Sequence, residues 1–322
     1  MCFRRSLLTL AILLLQALSA AGQDEFTRDP GAPFVFSPQW TVQAQFAGYY
    51  AALEQGFYAE EGLDVRIIHP SATESIEERI RNKVSNVTTL QLADALGMID
   101  AGIPLVNLLQ TSMNNSLMIV SRFGKNPLEM KGARVAKWRA GFGQIAQCMA
   151  EEKQLDYEWI RSASGVNLFI AGAVDAMLVC SFNEYYQLLQ TGLIDSDAAV
   201  IRLAEIGYNF PEDGLYMTRE DYRKDTDRAE RFARASQKGW EWVARNQEAA
   251  LDIVMRYVRQ YRTPTNRTLQ RMMLKEILRL QTDSQSGKME FRLDPEKVRQ
   301  TSETLYRNHI ISREIPYEEL AR

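Results

Sequence analysis

Between Phe34 and Ile67 the hydrophobic pattern changes period twice. Phe34, Val35 and Phe36 form a short apolar run, Phe46, Tyr50 and Leu53 recur at helical spacing, and Leu63, Val65 and Ile67 alternate with polar residues. This order reads as strand, helix, strand. It constrains the fold strongly, because the two strands of such a unit run parallel and a parallel sheet is covered by helices on both faces. The link between the first strand and the helix is Pro38-Gln39-Trp40-Thr41-Val42-Gln43. It is rich in aromatic and amide groups, and it sits where a parallel sheet opens its binding crevice. A ligand is expected there.

The alternation continues downstream. Residues 75–82 read as a helix, 85–89 as a strand, 90–101 as a helix ending at Gly102, and 103–110 as a strand. Strand-like 117–121 leads into a loop over 124–132, and a second cycle follows: strands at 133–138, 157–162, 176–180 and 199–203, with helices at 144–153, 165–171 and 183–191. Residues 214–218 then read as a strand returning to the first sheet. Beyond Asp221 the chain turns helical, with Ala229, Phe232, Ala233, Trp240 and Val243 on one face. A chain of 322 residues exceeds the usual size of one core. The expected organisation is therefore α/β and two-lobed, with a discontinuous first lobe over 33–120 and 209–322 and a second lobe over 121–208. Two crossings between lobes make a hinge, with a ligand cleft between them.

The N-terminus carries Arg4 and Arg5, an apolar stretch from Leu7 to Leu15, and small residues at Ala17, Ser19, Ala20, Ala21 and Gly22. This is the layout of a secretory signal peptide over 1–22, cut between Ala20 and Gln23, and it implies a periplasmic or secreted protein. Without the leader, 36 basic face 41 acidic residues, a net charge of −5. A mildly acidic chain without a basic block gives no electrostatic reason to expect a nucleic-acid partner. Cys148 and Cys180 sit among apolar neighbours without Cys or His at metal-ligand spacing, so buried thiols are expected and no metal site. Two histidines, His69 and His309, leave little material for a Ser-His-Asp triad. His69, beside Pro70, reads as a strand-end residue.

The turn Trp138-Arg139-Ala140-Gly141-Phe142-Gly143 follows a strand and opens a helix. Gly141 and Gly143 let the backbone approach a ligand, and the free N–H groups favour an acceptor or an anion. Trp138 and Phe142 offer flat surfaces for stacking, and Trp40, Tyr49 and Tyr50 could supply the other half of a sandwich. Neighbours on a helix face different ways, so at least one of the two tyrosines is expected to pack inward. Thr88, Thr89, Asn114, Asn115, Glu184 and Tyr185 occupy strand ends and helix starts suited to reading ring nitrogens and an exocyclic amine. Each also suits a turn or a cap. Asp175, at a sheet edge, fits a ligand contact or a cap equally well.

Three stretches carry a family resemblance: QAQFAGYYAALEQGFYAEEGLDV after Trp40, SLMIVSR over 116–122, and NLFIAGAVDAMLVCSFNEYYQLL over 167–189. They resemble the periplasmic substrate-binding proteins of ABC importers, in the branch that holds thiamine-pyrimidine-precursor-binding proteins and the yeast thiamine pyrimidine synthase. The resemblance implies the type II periplasmic binding protein fold, a small heteroaromatic ligand such as a thiamine pyrimidine precursor, and a membrane permease as partner. It puts Trp40, Tyr50, Trp138, Gly141, Phe142, Gly143 and Glu184 in the cleft, with Thr88 and Asn115 in the polar rim read from the sequence. The enzyme branch uses a lysine to hold pyridoxal phosphate and a histidine as nitrogen donor. In SNVTTLQLADAL this chain has Thr89 and Ala93 where those would fall. Without the amine no Schiff base forms, so no cofactor and no catalytic residue is expected.

Overall fold

The computed structural model describes residues 32–322 except 72, 73, 123, 139, 140, 164, 195, 196 and 285. The expected leader at 1–22 lies outside the described residues, as do Arg139 and Ala140 of the second turn. The first sheet begins with β1 (Phe34–Ser37), β2 (Val65–Ile67), β3 (Val87–Leu90) and β4 (Leu105–Gln110). The second holds β5 (Leu117–Ser121), β6 (Arg134–Trp138), β7 (Glu158–Ser162), β8 (Ala176–Cys180) and β9 (Val200–Arg202), after which β10 (Gly214–Thr218) returns to the first. The spatial orders are β2-β1-β3-β10-β4 and β7-β6-β8-β5-β9. β5 straddles the 120/121 boundary expected from sequence, and it lies in the second sheet.

The sheets are mixed, which corrects the expectation of purely parallel ones. β1 pairs parallel with β2 and β3, and β6 with β7 and β8, as the strand-helix-strand pattern requires. β10, however, runs antiparallel between β3 and β4, and β5 antiparallel between β8 and β9. The registers give the reason. Gly214 at the start of β10 faces Leu90 and Gln110, the last residues of β3 and β4, and Leu117 at the start of β5 faces Cys180, the last of β8. Each crossing therefore joins the carboxyl edge of one sheet to that of the other, and a strand entering at that edge must run the opposite way. The same connection turns the two carboxyl edges toward each other.

The crossings are bonded to one another. The amides of Thr111 and Ser112 both donate to the Asp213 carbonyl, at 2.9 and 3.0 Å, and the Glu212 amide donates to the Ser112 carbonyl at 3.1 Å. Gln110 Nε2 donates to the Ser112 carbonyl at 2.8 Å.

Alternation along the second sheet separates its faces. Leu117, Ile119, Val135, Leu178 and Cys180 join the main core, while Met118, Val120, Ala136, Met177 and Val179 pack with Phe169 and Leu188 in a smaller one. The first sheet is backed by helices. Ala229, Phe232, Ala233, Trp240 and Val243 of the helix Thr226–Arg245 are all buried, as their shared face predicts. Phe232 stacks on Tyr58 with ring centroids 4.9 Å apart, and Trp240 meets Tyr49 edge-on at 5.7 Å. This helix crosses the helix Ala47–Glu54 where Gly239 faces Gly48, leaving no room for a side chain at either position. Later helices begin with side-chain caps: Asn266 Oδ1 accepts from the Leu269 amide at 2.9 Å, and Asp294 Oδ1 from the Glu296 amide at 2.9 Å, with Pro295 in the first turn.

Candidate ligand-binding cleft

Each wall of the cleft is a turn leaving the carboxyl edge of a sheet. On the first-lobe side the Gln39 amide donates to Thr89 Oγ1 at 2.9 Å, which pins the start of the turn to the end of β3. The Trp40 carbonyl accepts from His69 Nδ1 at 2.7 Å, and His69 Nε2 lies 2.8 Å from the Tyr50 hydroxyl. Burial, with the nearby Arg79 charge opposing protonation, pushes the His69 pKa down to about 4. The imidazole is therefore neutral at physiological pH, donating from Nδ1 and accepting the Tyr50 proton at Nε2. A residue read from sequence as a plain strand end is the pin that fixes the Trp40 turn to β2 and to the helix behind it.

On the second-lobe side Trp138 ends β6, and the helix Gln144–Glu152 starts just beyond Gly143. Gly141 takes φ +108°, and Phe142 has φ +61°. The left-handed region is uncommon for a residue with a Cβ. Here it sets the Phe142 ring edge-on to both tryptophans, 5.7 Å from Trp40 and 6.4 Å from Trp138. A Cβ on Gly141 would lie 3.1 Å from Asp94 Oδ1, so the turn also needs glycine there to approach the facing helix Leu92–Asp100. Asp94 Oδ1 accepts from Gln144 Nε2 at 2.5 Å, and this bond spans the two walls.

Between the turns lies a small cavity of about 30 Å³, open to solvent on one side, so the two walls stand close together. Trp40, Trp138, Phe142 and Phe182 supply aromatic surface; Gln39, Gln43, Gln45, Gln91 and Asn183 supply amides; Glu184 supplies a carboxylate. The described residues of the lining include neither lysine nor arginine. Glu184 is buried, its Oε2 accepting from the Cys180 amide at 3.2 Å and its Oε1 from Asn183 Nδ2 at 3.2 Å and Trp138 Nε1 at 3.4 Å. Burial raises its pKa.

Of the residues singled out from sequence, Trp40, Trp138, Phe142 and Glu184 come together in this cavity. Gly141 and Gly143 shape the turn beside it. The structure takes three others elsewhere. Tyr50 is fully buried, stacked on Tyr257 at 4.3 Å, because the helix behind it is covered by the C-terminal helices. Thr88 turns its hydroxyl to the Ser37 carbonyl at 2.7 Å. Asn115 Oδ1 accepts from the Leu117 amide at 2.5 Å, and the residue lines a separate groove against the helix Arg267–Gln281. Tyr49 also packs inward, against Trp240 and Phe36. Asp175 Oδ2 accepts from the Arg134 amide at 2.9 Å, a strand-edge cap. Cys148 and Cys180 are free and buried.

Sequence reasoning marked the amide-rich turn but passed over Gln45, Gln91, Phe182 and the buried acids Glu212 and Asp213. Nothing local distinguishes those two acids, since they come to the site from the far end of the second crossing. Burial and the adjacent Asp213 carboxylate push Glu212 up to about 8, and burial pushes Asp213 up to about 6. A carboxyl whose folded pKa lies above its unfolded value loses stability as pH rises through the gap. His69 acts in the opposite sense between its folded pKa near 4 and the unfolded value near 6.5, where stability rises with pH. Glu212 titrates across the window from pH 6.5 to 8. Wild-type stability is expected to fall there by up to about 1.4 kcal/mol per pH unit. In Glu212→Gln that fall disappears, which urea midpoints at pH 6.5 and 8 would read. An unchanged slope in the variant would assign the titration to another group.

The family model described as "NMT1/THI5 like" matches residues 43–250, from the amide-rich turn through both crossings and into the helical region. The chain belongs to the NMT1/THI5-like family. A formylaminopyrimidine-binding protein of Halalkalibacterium halodurans is 24% identical over 228 residues, covering 67% of this chain and 68% of that protein. Among solved structures, the periplasmic aliphatic sulphonate binding protein of Escherichia coli superposes with a TM-score of 0.65 at 12% identity, over 91% of this chain and 92% of that one. The alkanesulfonate-binding protein of Xanthomonas axonopodis pv. citri, bound to MOPS, gives 0.66 at 12% identity, over 90% and 98%. This member of the NMT1/THI5-like family thus has the periplasmic binding protein fold, as its sequence resemblance implied.

Proposed function

We propose that this protein is an exported solute-binding protein that captures a small heteroaromatic molecule, a thiamine pyrimidine precursor, for the permease of an ABC importer. The observation that carries the reading is the lining of the cavity. Aromatic rings from both walls meet over a polar rim of amides and a carboxylate. A sulfonate or phosphate calls for charged or densely packed N–H donors. A flat, neutral ring with N–H and ring-nitrogen groups is satisfied by stacking and by amides. The formylaminopyrimidine-binding relative supports the same class.

In this reading the ring enters between Trp40 and Trp138, with Phe142 edge-on to both and Glu184 accepting from a ring substituent. Closure turns one lobe on the other about the paired crossings near Thr111–Ser112 and Glu212–Asp213, and the Asp94–Gln144 bond and the Trp40–Phe142 contact hold the closed form. The two moving units of this reading are the lobes read from sequence, residues 33–120 with 209–322, and 121–208, with β5 at the first boundary moving with the second sheet. Ligand shifts the population toward the closed form without any catalytic step, and the permease receives it. Stripping copurified ligand by partial unfolding and titrating formylaminopyrimidine, thiamine and an alkanesulfonate tests this. At 100 times Kd the pyrimidine is expected to stabilise the fold by about 2.7 kcal/mol, seen as a rise in Tm. A rise with the sulfonate and none with the pyrimidine overturns the assignment.

A further inference from the structure

Asp213 opens the strand that returns to the first sheet, and it is buried. Its backbone carbonyl is held by the Thr111 and Ser112 amides and by the Thr111 hydroxyl at 2.7 Å, so the residue is anchored to both crossings. Its carboxylate serves the cavity. Oδ1 accepts from Gln39 Nε2 at 2.5 Å, and Oδ2 accepts from Gln45 Nε2 at 2.6 Å. Gln45 Oε1 in turn accepts from Gln43 Nε2 at 2.5 Å. Gln39 Oε1, on a side chain only 3% exposed, has no partner.

An ionised carboxylate can only accept. Both glutamines must therefore turn their NH2 groups to Asp213, and the oxygen of each amide then points the other way. Gln45 Oε1 accepts from Gln43, and Gln39, a residue of the cavity wall, carries a buried amide oxygen that lacks a donor. A buried acceptor left unpaired is costly, so a ligand that brings an N–H to this edge gains what a ligand bringing a carbonyl cannot. Glu184 adds a second acceptor on the opposite wall.

We propose that Asp213 sets the hydrogen-bond polarity of the cavity: by orienting Gln39 and Gln45 it aims the Gln39 oxygen at the ligand, and the site selects rings bearing an amino or N–H donor at that edge over rings bearing a carbonyl. This rests on the heteroaromatic reading of the cavity. Asp213 is a positioning residue, since it acts through the two amides. Burial pushes its carboxyl up to about 6, which leaves it ionised and acceptor-only at pH 8.

The test is calorimetric titration of the mature protein at pH 8 with 4-amino-2-methylpyrimidine and with 2,3-dimethylpyrimidin-4-one, whose methylated ring nitrogen leaves a carbonyl and no N–H at the edge in question. The wild type is expected to favour the amine by about tenfold or more, the discrimination of a buried polar group that one ligand satisfies and the other does not. Asp213→Asn puts a donor among the amides and forces one glutamine to turn over, so the preference should shrink to within about threefold or reverse. Gln39→Met removes the acceptor at near-constant volume. It should cost the amine about tenfold while leaving the carbonyl probe unchanged, and it carries the test if Asp213→Asn does not fold. A merely structural role would weaken both probes equally. Equal wild-type affinity for the two rings, or an amine preference that survives in the folded variants, overturns the proposal and leaves the heteroaromatic reading standing. Failure of the wild type to bind either ring overturns that reading, and the polarity proposal with it.

Discussion

Replacing Gly239 by leucine is expected to destabilise the protein by at least about 3 kcal/mol, the upper range for overpacking a close contact. The argument is geometric. A Cβ at position 239 would collide with the Gly48 carbonyl oxygen, and would sit 2.8 Å from Ala52 Cβ and 3.0 Å from the Ala52 amide nitrogen. Two of these three obstacles are backbone atoms of the helix Ala47–Glu54, so no side-chain rotation relieves the clash. The helices must part. Parting them opens the Tyr49–Trp240 contact at 5.7 Å, which lies along the same seam. Because the helix Ala47–Glu54 follows the Gln39–Gln43 turn through the single turn Ala44–Phe46, moving it displaces that wall of the cleft, and ligand affinity should fall together with stability. Gly97 is the control. It lies in a helix with nothing within 4 Å of an added Cβ, so Gly97→Ala should stabilise by up to about 1 kcal/mol through helix propensity alone. Urea unfolding followed by circular dichroism reads both. An unchanged midpoint for Gly239→Leu would contradict the close crossing of the two helices.

Trp138→Ala is expected to weaken pyrimidine binding by about 10–100-fold, the equivalent of the roughly 1–3 kcal/mol carried by stacking a base on an aromatic side chain. Trp138 is 5% exposed, ends β6 at the carboxyl edge, and brings its indole Nε1 within 3.4 Å of Glu184 Oε1. Truncation removes the stacking surface and also frees the Glu184 carboxylate from one of its donors. Trp138→Phe keeps a ring and loses only the N–H, so it should cost about tenfold or less. The contrasting variant is Tyr50→Phe. Sequence and family resemblance both point to Tyr50 as a cleft residue, whereas the structure buries it against Tyr257 and ties it to His69. Its hydroxyl should contribute about 1 kcal/mol to stability and leave pyrimidine affinity within about twofold. Titrations on folded, ligand-free protein separate the two behaviours. Loss of affinity in Tyr50→Phe with Trp138→Ala unaffected would reverse the assignment of the two residues.

Much of the site was legible where chemistry is local. The strand-helix-strand pattern placed the turn at Gln39–Gln43 on a carboxyl edge, and the amide and aromatic content of that turn marked it as a wall of a cleft. The Gly-x-Gly turn after β6 was marked by its glycines and by Trp138 and Phe142, although such turns are common at helix starts. Tyr50 was the instructive departure. Helical spacing indicated that one of Tyr49 and Tyr50 must pack inward, but the pattern within one helix cannot show that later helices cover both sides of it. Phe182 and Gln91 carried no local mark at all, since a single aromatic or amide at a strand end is common. His69 was legible as a strand end, and only its two partners, Trp40 and Tyr50, reveal what it holds in place.

The sequence by itself determined the class of the fold, the alternation of strands and helices, the return of β10 to the first sheet and the two aromatic turns. These depend on side-chain period and turn chemistry over a few neighbouring residues, which the order of amino acids states directly. Tertiary structure alone decided the directions of β5 and β10, the burial of Tyr49 and Tyr50, and the arrival of Asp213 beside Gln39, 174 residues away along the chain. Those features follow from where the crossings bring the sheet edges together, and a contact between distant segments leaves no period in either of them.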